Sequence, residues 1–172
     1  MRSINVLGAL PYEEVRGDCH AVKTAKSSQA PVMIRCAKRI VASLVDRRCF
    51  LVPAPSHGGT ATDTLQLALA IAEEINRAED GFAAICDILT CDPHISLCEL
   101  KHQGGDPSRV KIKVRLTDTP AAKLLRRGPR LPIYIVDNVV DTGHTAEACL
   151  KALPTSKGIL AIGDTGTWKE RT

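Results

Sequence analysis

Residues 133–148, IYIVDNVVDTGHTAEA, constrain the fold more than any other part of this 172-residue chain. Four apolar residues read as a buried strand. Asp137 and Asn138 follow, then a tight turn at Asp141-Thr142-Gly143-His144-Thr145, then a helix starting near Gly143. A buried strand passing through a polar turn into a helix is the unit of an α/β layered fold. Open α/β sheets bind ligands outside the carboxyl ends of their strands, and such a strand would deliver Asp137 and Asn138 there. A carboxylate and an amide can hold vicinal hydroxyls. Gly143 lets the backbone approach an anion closely. The N–H groups of the new helix, with the hydroxyls of Thr142 and Thr145, can cradle a phosphate. Hydroxyls on the acidic side and phosphate at the helix N-terminus describe a sugar phosphate.

The rest of the chain supports an alternation of strands and helices. Ile4–Leu10 is apolar enough for a strand, and 13–30 reads as polar and irregular. Residues 32–45 carry apolar side chains at helical spacing. Cys49–Val52 is a short buried strand that ends at Pro53-Ala54-Pro55-Ser56-His57-Gly58-Gly59. Asp63 then reads as the cap of a helix, with Gln66 three residues on as in a capping box. Phe82–Leu89 reads as a strand. The polar stretch from about 92 to 115 reads as a long loop, and connections of that length are usually functional or mobile. Thr119-Pro120 opens another helix, an N-cap threonine followed by a first-turn proline, and Arg126-Arg127-Gly128 closes it. Pro132–Val136, a helix to about Leu153 and a strand over Gly158–Gly163 complete one domain spanning 1–172.

Composition removes several alternatives. At 44% hydrophobic and 24% charged residues, the chain is neither disordered nor a charge-rich coiled coil. No apolar run reaches the roughly 18–20 residues of a membrane span, and the N-terminus lacks the pattern of a signal peptide. The net charge of +4 is only mildly basic, and aromatics are 3% of residues. A stacking platform for nucleic acid would have little to draw on, so a small charged anion suits the chain better. The seven cysteines are odd in number and form no CxxC pair. They read as reduced, buried thiols of a cytoplasmic protein. One local pattern, Cys91, His94, Cys98 and His102, has spacing that could bind zinc, although it lies in the stretch read as a loop.

The 133–148 segment resembles the motif with which type I phosphoribosyltransferases bind PRPP, 5-phosphoribosyl-1-diphosphate. The family pattern is four apolar residues, two acids, two apolar residues, then x-T-G-x-T. The chain follows it with one departure, Asn138 in place of the second acid. The resemblance implies a Rossmann-like, three-layer type I fold with a mainly parallel central sheet flanked by helices. Residues 31–165 would form the core and 1–30 a small variable hood. VPAPSHGGTATD, residues 52–63, stands where the family binds diphosphate, through Pro55, Ser56, His57, Gly58 and Gly59. The stretch 98–115 stands where a flexible loop closes, with Lys101, Arg109, Lys111 and Lys113 bringing charge to the leaving diphosphate.

The same resemblance implies roles in the motif itself. Asp137 and Asn138 would hold the ribose hydroxyls. Asp141, Thr142, Gly143, His144 and Thr145 would hold the 5′-phosphate. Asp141 would also sit near the acceptor base and exchange a proton with it, so Asp137 and Asp141 are the catalytic candidates. Mg²⁺ would bridge diphosphate and ribose, reaching Asp137 only indirectly. Asp141 weakly favours a purine-like acceptor. Against it stand Asn138 and the short segment after the last strand, where Trp168 alone could stack. The implied partners are PRPP and a nucleobase-like molecule, with no membrane or nucleic acid, in a homodimer. The implied activity is phosphoribosyl transfer with release of diphosphate. The alternative is a weak or inactive protein of the same fold that binds PRPP or a nucleotide and regulates a partner.

Overall fold

The chain was analysed as a computed structural model, which describes residues 4–24, 30–106 and 110–167. Five short strands form the central sheet: β1 (Val6–Leu7), β3 (Arg48–Pro53), β4 (Phe82–Ile85), β7 (Ile133–Val136) and β9 (Gly158–Leu160), numbered with the others in chain order. Their spatial order is β1-β9-β7-β3-β4, and every neighbouring pair is parallel. Parallel strands need crossovers, so helices fall on the two faces. Helices α1 (Tyr12–Thr24), α2 (Ala30–Ala42) and α3 (Asp63–Asn76) pack with Cys49, Leu51, Tyr134, Val136 and Leu160 in one core. Helices α5 (Pro120–Arg126) and α6 (His144–Ala152) pack with Val52, Ile133, Ile135 and Ile159 in another. Along β7 the two cores alternate residue by residue, as the two-residue strand period requires. The molecule is therefore a mixed α/β structure, a mainly parallel sheet flanked by helices. Each fully buried Leu or Ile of these cores contributes about 1.5–3 kcal/mol through water exclusion.

Three neighbouring strands break and resume at the same level. β2 (Leu10–Pro11), β8 (Val139–Val140) and β10 (Gly163–Asp164) continue β1, β7 and β9 as a small parallel sheet in the order β2-β10-β8. At the break Asn138 O accepts from the N–H groups of Ile162 and Gly163, and Asp137 N donates to Leu160 O. Arg39 of α2 donates to Ile162 O at 2.7 Å and to Gly8 O at 3.4 Å, so interrupted carbonyls remain paired. Gly8 has φ +74°, and a Cβ there would lie 2.9 Å from Ile40 Cα, which admits only glycine.

Several expectations change. Of residues 13–30, read as irregular, 13–24 belong to α1, because Val15, Cys19 and Val22 recur at helical spacing and are buried. The strand expected over Phe82–Leu89 ends at Ile85. β5 (Leu89–Cys91) instead pairs antiparallel with β6 (Val114–Leu116) as a separate arm. The arm carries α4 (Leu97–His102), where a loop was expected; Ser96 Oγ caps it by accepting from Glu99 N at 3.5 Å. The strand expected over Gly158–Gly163 is split between β9 and β10 by the shared break. Asp63 does not cap α3: Thr62 is the N-cap residue and makes no side-chain cap bond. The caps expected at Thr119 and Gly128 are present, with Ala122 N donating to Thr119 Oγ1 at 3.2 Å and Gly128 at φ +82°.

Candidate functional site

The chain leaves β3 toward β4 on one side of the sheet and leaves β7 toward β9 on the other. The loops that follow β3 and β7 therefore diverge, and a crevice opens between them. A cleft of about 640 Å³ occupies this position, within the roughly 300–1,000 Å³ usual for small-molecule sites. Its walls hold Pro55, Ser56 and His57 from the first loop and Asp137 to Gly143 with Thr145 from the second. Helix α1 adds Tyr12, His20 and Lys23, and the arm adds His94, Ser96 and Lys101.

The turn into α6 has the form of an anion cradle. Gly143 is the N-cap residue at φ +78°, ψ −8°. The first-turn N–H groups of a helix have no intrahelical acceptors and carry its positive pole. Thr142 is buried and Thr145 partly so, and both line the cleft. Thr142 Oγ1 lies 3.3 Å from His144 Nδ1. The ring of His144 is not part of the cleft wall; with Lys111 and Lys151 it lines a separate hollow of about 280 Å³.

Beside the cradle lies an acidic pole. Asp137 Oδ1 accepts from Asn138 N at 2.7 Å. Burial pushes the Asp137 carboxyl up to about 6, the charge of Asp63 adds to the rise, and the N–H groups of Asn138 and Val139 oppose it. Asn138 Nδ2 donates to Asp63 Oδ2, and Thr62 Oγ1 donates to Asp63 Oδ1 at 3.0 Å. Asn138 Oδ1 is buried and has no partner among the described residues. Asp63, read as a helix cap, is thus a cleft residue. A carboxylate in the first helical turn after the upstream loop was its only sequence signal.

Asp141 is held from two sides. Lys101 Nζ donates to its Oδ2 at 2.5 Å and Thr165 Oγ1 to its Oδ1 at 3.2 Å. Its carbonyl accepts from Thr165 Oγ1 at 3.1 Å and Thr167 Oγ1 at 2.9 Å. The β3 loop is fastened to the arm instead. Cys91 N donates to Gly59 O at 3.0 Å, His94 N to His57 O at 2.9 Å and Cys91 Sγ to Ser56 O at 3.3 Å.

Of the sequence candidates, Pro55, Ser56, His57, Lys101, Asp137, Asn138, Asp141, Thr142, Gly143 and Thr145 meet on one cleft. Gly58, Gly59, His144 and Lys111 are not in its wall. Lys113 is exposed on the arm. Arg109 and Trp168 lie outside the described residues, as does the side chain of Cys98. The Cys91 to His102 pattern forms no metal cluster among the described residues; Cys91 is buried against the β3 loop. The thiols of Cys19, Cys36, Cys49, Cys91 and Cys149 are free and buried, as expected, and Cys86 is free and half-buried. Among the wall residues that the sequence reading did not single out for the site are Tyr12, His20, Lys23, Asp63 and Thr165. Among the described residues no helix is long and apolar enough to cross a membrane.

No family model matches the chain, and no curated protein matches it. Among solved structures it is similar to a hypothetical protein from Neisseria gonorrhoeae whose crystal structure has bound ppGpp. The identity is 14% and the TM-score 0.41, over 95% of this chain and 74% of that one. A likeness that loose carries nothing about the ligand or the reaction of this chain.

Proposed function

We propose that this protein is a type I phosphoribosyltransferase that binds PRPP and transfers its 5-phosphoribosyl group to a nitrogenous, purine-like acceptor. One observation carries the reading: an acidic pole and an anion cradle, both from the strand-turn-helix segment 133–148, open on one cleft at the topological switch point. The cradle at Thr142, Gly143 and Thr145 suits the 5′-phosphate. The pole at Asp137 and Asn138 suits the ribose hydroxyls. Pro55, Ser56 and His57, on the neighbouring loop, suit the diphosphate.

Magnesium fits this pole chemically. The carboxylates of Asp137 and Asp63 and the unpartnered Oδ1 of Asn138 form an all-oxygen donor set, and Mg²⁺ favours few carboxylates plus substrate phosphates. Bound there, it would neutralise charge developing on the departing diphosphate. In the transfer, the anomeric C–O bond breaks, diphosphate leaves, and a C–N bond forms to the acceptor. Asp141 accepts the proton released by the acceptor nitrogen. Its pairing with Lys101 has to open first, which couples the proton acceptor to movement of the arm. Water exclusion by α1 and the arm protects the ribosyl cation-like centre.

The second reading is a PRPP- or nucleotide-binding regulator without turnover, and Asn138 favours it, because an amide supplies no charge. The test is calorimetric PRPP titration with Mg²⁺ on wild type, Asp137→Ala and Thr142→Ala, with diphosphate release measured over a panel of bases. Binding lost in both variants and release with one base are expected. Binding without release would select the regulator, and no binding by wild type would overturn both readings.

A further inference from the structure

Asn138 leaves segment 133–148 with one carboxylate where the motif it resembles has two, and a carboxylate from another element stands beside it. Asp63 opens α3, 75 residues upstream, and lines the same cleft. Asn138 Nδ2 donates to Asp63 Oδ2. The charge of Asp63 adds to the rise that burial imposes on the Asp137 carboxyl. Asn138 is 7% exposed, and its Oδ1 has no partner among the described residues although it belongs to a residue of the cleft wall. Buried acceptors are rarely left unmet, and strain, a catalytic role, a water or an ion explains one that is. The amide's two ends therefore differ: its N–H donates to Asp63, and its buried oxygen has no partner among the described residues. An aspartate at 138 would repel Asp63 instead of holding it.

We propose that Asp63 is the second acid of this pole, so that Asp63, Asn138 Oδ1 and Asp137 together take a vicinal diol with its divalent cation. The inference rests on the phosphoribosyl reading above and deepens it: the second negative charge comes from the start of α3, and Asn138 positions it. The competing role for Asp63 is structural, as an acid favouring the N-terminus of α3. That role does not depend on magnesium.

The experiment is calorimetric titration of PRPP into the full chain, once with magnesium chloride and once with EDTA. It compares wild type, Asp63→Asn and the charge relocation Asp63→Asn with Asn138→Asp. Wild type binds more tightly in magnesium. Asp63→Asn loses about tenfold of that affinity, as expected for one charge-assisted contact, and most of the difference between magnesium and EDTA. The relocated pair recovers both. Asp63→Asn binding like wild type overturns the inference alone, as does a loss equal in magnesium and EDTA. So does a folded relocation variant that recovers nothing. If wild type ignores PRPP, the transferase reading falls, and adenosine 5′-monophosphate, which carries the same 5′-phosphate and diol, becomes the probe for Asp63. Wild type binding neither compound overturns the inference as well.

Discussion

The loops after β3 and β7 face one another across the cleft, yet they are held by different means. The β3 loop is fastened chiefly through its backbone carbonyls, by uncharged donors: Ser56 O accepts from Gly59 N and Cys91 Sγ, Thr60 O from Ser56 N and Ser56 Oγ, Gly59 O from Cys91 N and Thr90 Oγ1, and His57 O from His94 N. The β7 loop also has backbone bonds to β10, but charged side chains fasten it as well, through Asn138 to Asp63 and through Lys101 and Thr165 to Asp141. A backbone-held loop keeps its shape under most substitutions and fails where a conformation needs glycine. A side-chain-held loop concentrates charge, so its residues matter individually for ligand and for pH. The first loop owes its shape mainly to its backbone, the second its charge to side chains.

The largest effect expected from this contrast is at Asp137. Asp137→Asn keeps an oxygen for the Asn138 N–H but removes the charge. Affinity for PRPP with magnesium should fall roughly a hundredfold, the size of about 3 kcal/mol of charge-assisted hydrogen bonding. Stability should move the other way. The folded carboxyl stands near 6 against a usual 3.8, so the folded state holds its proton more tightly than the unfolded chain. The stabilisation from that proton is complete below about pH 4 and is lost as pH rises through about 6. Asp137→Asn should therefore be more stable than wild type at pH 8, by about 2 kcal/mol once water in the cleft is allowed for. The gap should close at pH 4. Urea unfolding at the two pH values measures it, and equal gaps would mean that the pole is not desolvated.

The β3 loop should respond at one glycine and ignore its neighbour. Gly59 has φ +106°, and a Cβ there would stand 3.1 Å from Cys91 O, on the strand that fastens the loop. Gly59→Ala should cost about 2 kcal/mol, lowering Tm by about 4–8 °C in a chain of this size. At Gly58 a Cβ would meet only Ser56 Oγ at 3.5 Å, so Gly58→Ala should leave Tm unchanged or raise it slightly. Equal effects at both positions would mean that the arm, not the backbone of the loop, sets its shape.

The same division explains what was legible in the sequence. Segment 133–148 was readable because an apolar run, a glycine and two threonines stand in one continuous stretch, and β7, Gly143 and α6 follow from local preferences. The arm was not, because β5 and β6 have three residues each and pair across more than twenty others. Neither strand has enough alternation to announce itself. Helix α1 hides its three buried residues among charged neighbours and Gly17. Asp63 was misread because capping is a local rule, whereas its partner Asn138 is 75 residues away. Local rules gave the frame of the cleft, and the contacts that close it are long-range.

The smallest effect tests the side-chain fastening at its most exposed point. Lys101 and Asp141 meet at 2.5 Å, but their side chains remain 45% and 37% exposed. Such pairs stabilise by less than about 1 kcal/mol and weaken in salt. Lys101→Ala should thus leave the unfolding midpoint nearly unchanged. Its consequence is local, because this pair ties α4 to the turn that starts α6, whereas the backbone bonds from Gly59 and His57 tie only the base of the arm. Hydrogen exchange should speed up at the amides of α4 in the variant, and added salt should produce the same change in wild type. Exchange that stays slow in both would place the whole arm under backbone control. The two loops would then differ in charge alone, and Asp141 would need no opening of the arm before it could accept a proton.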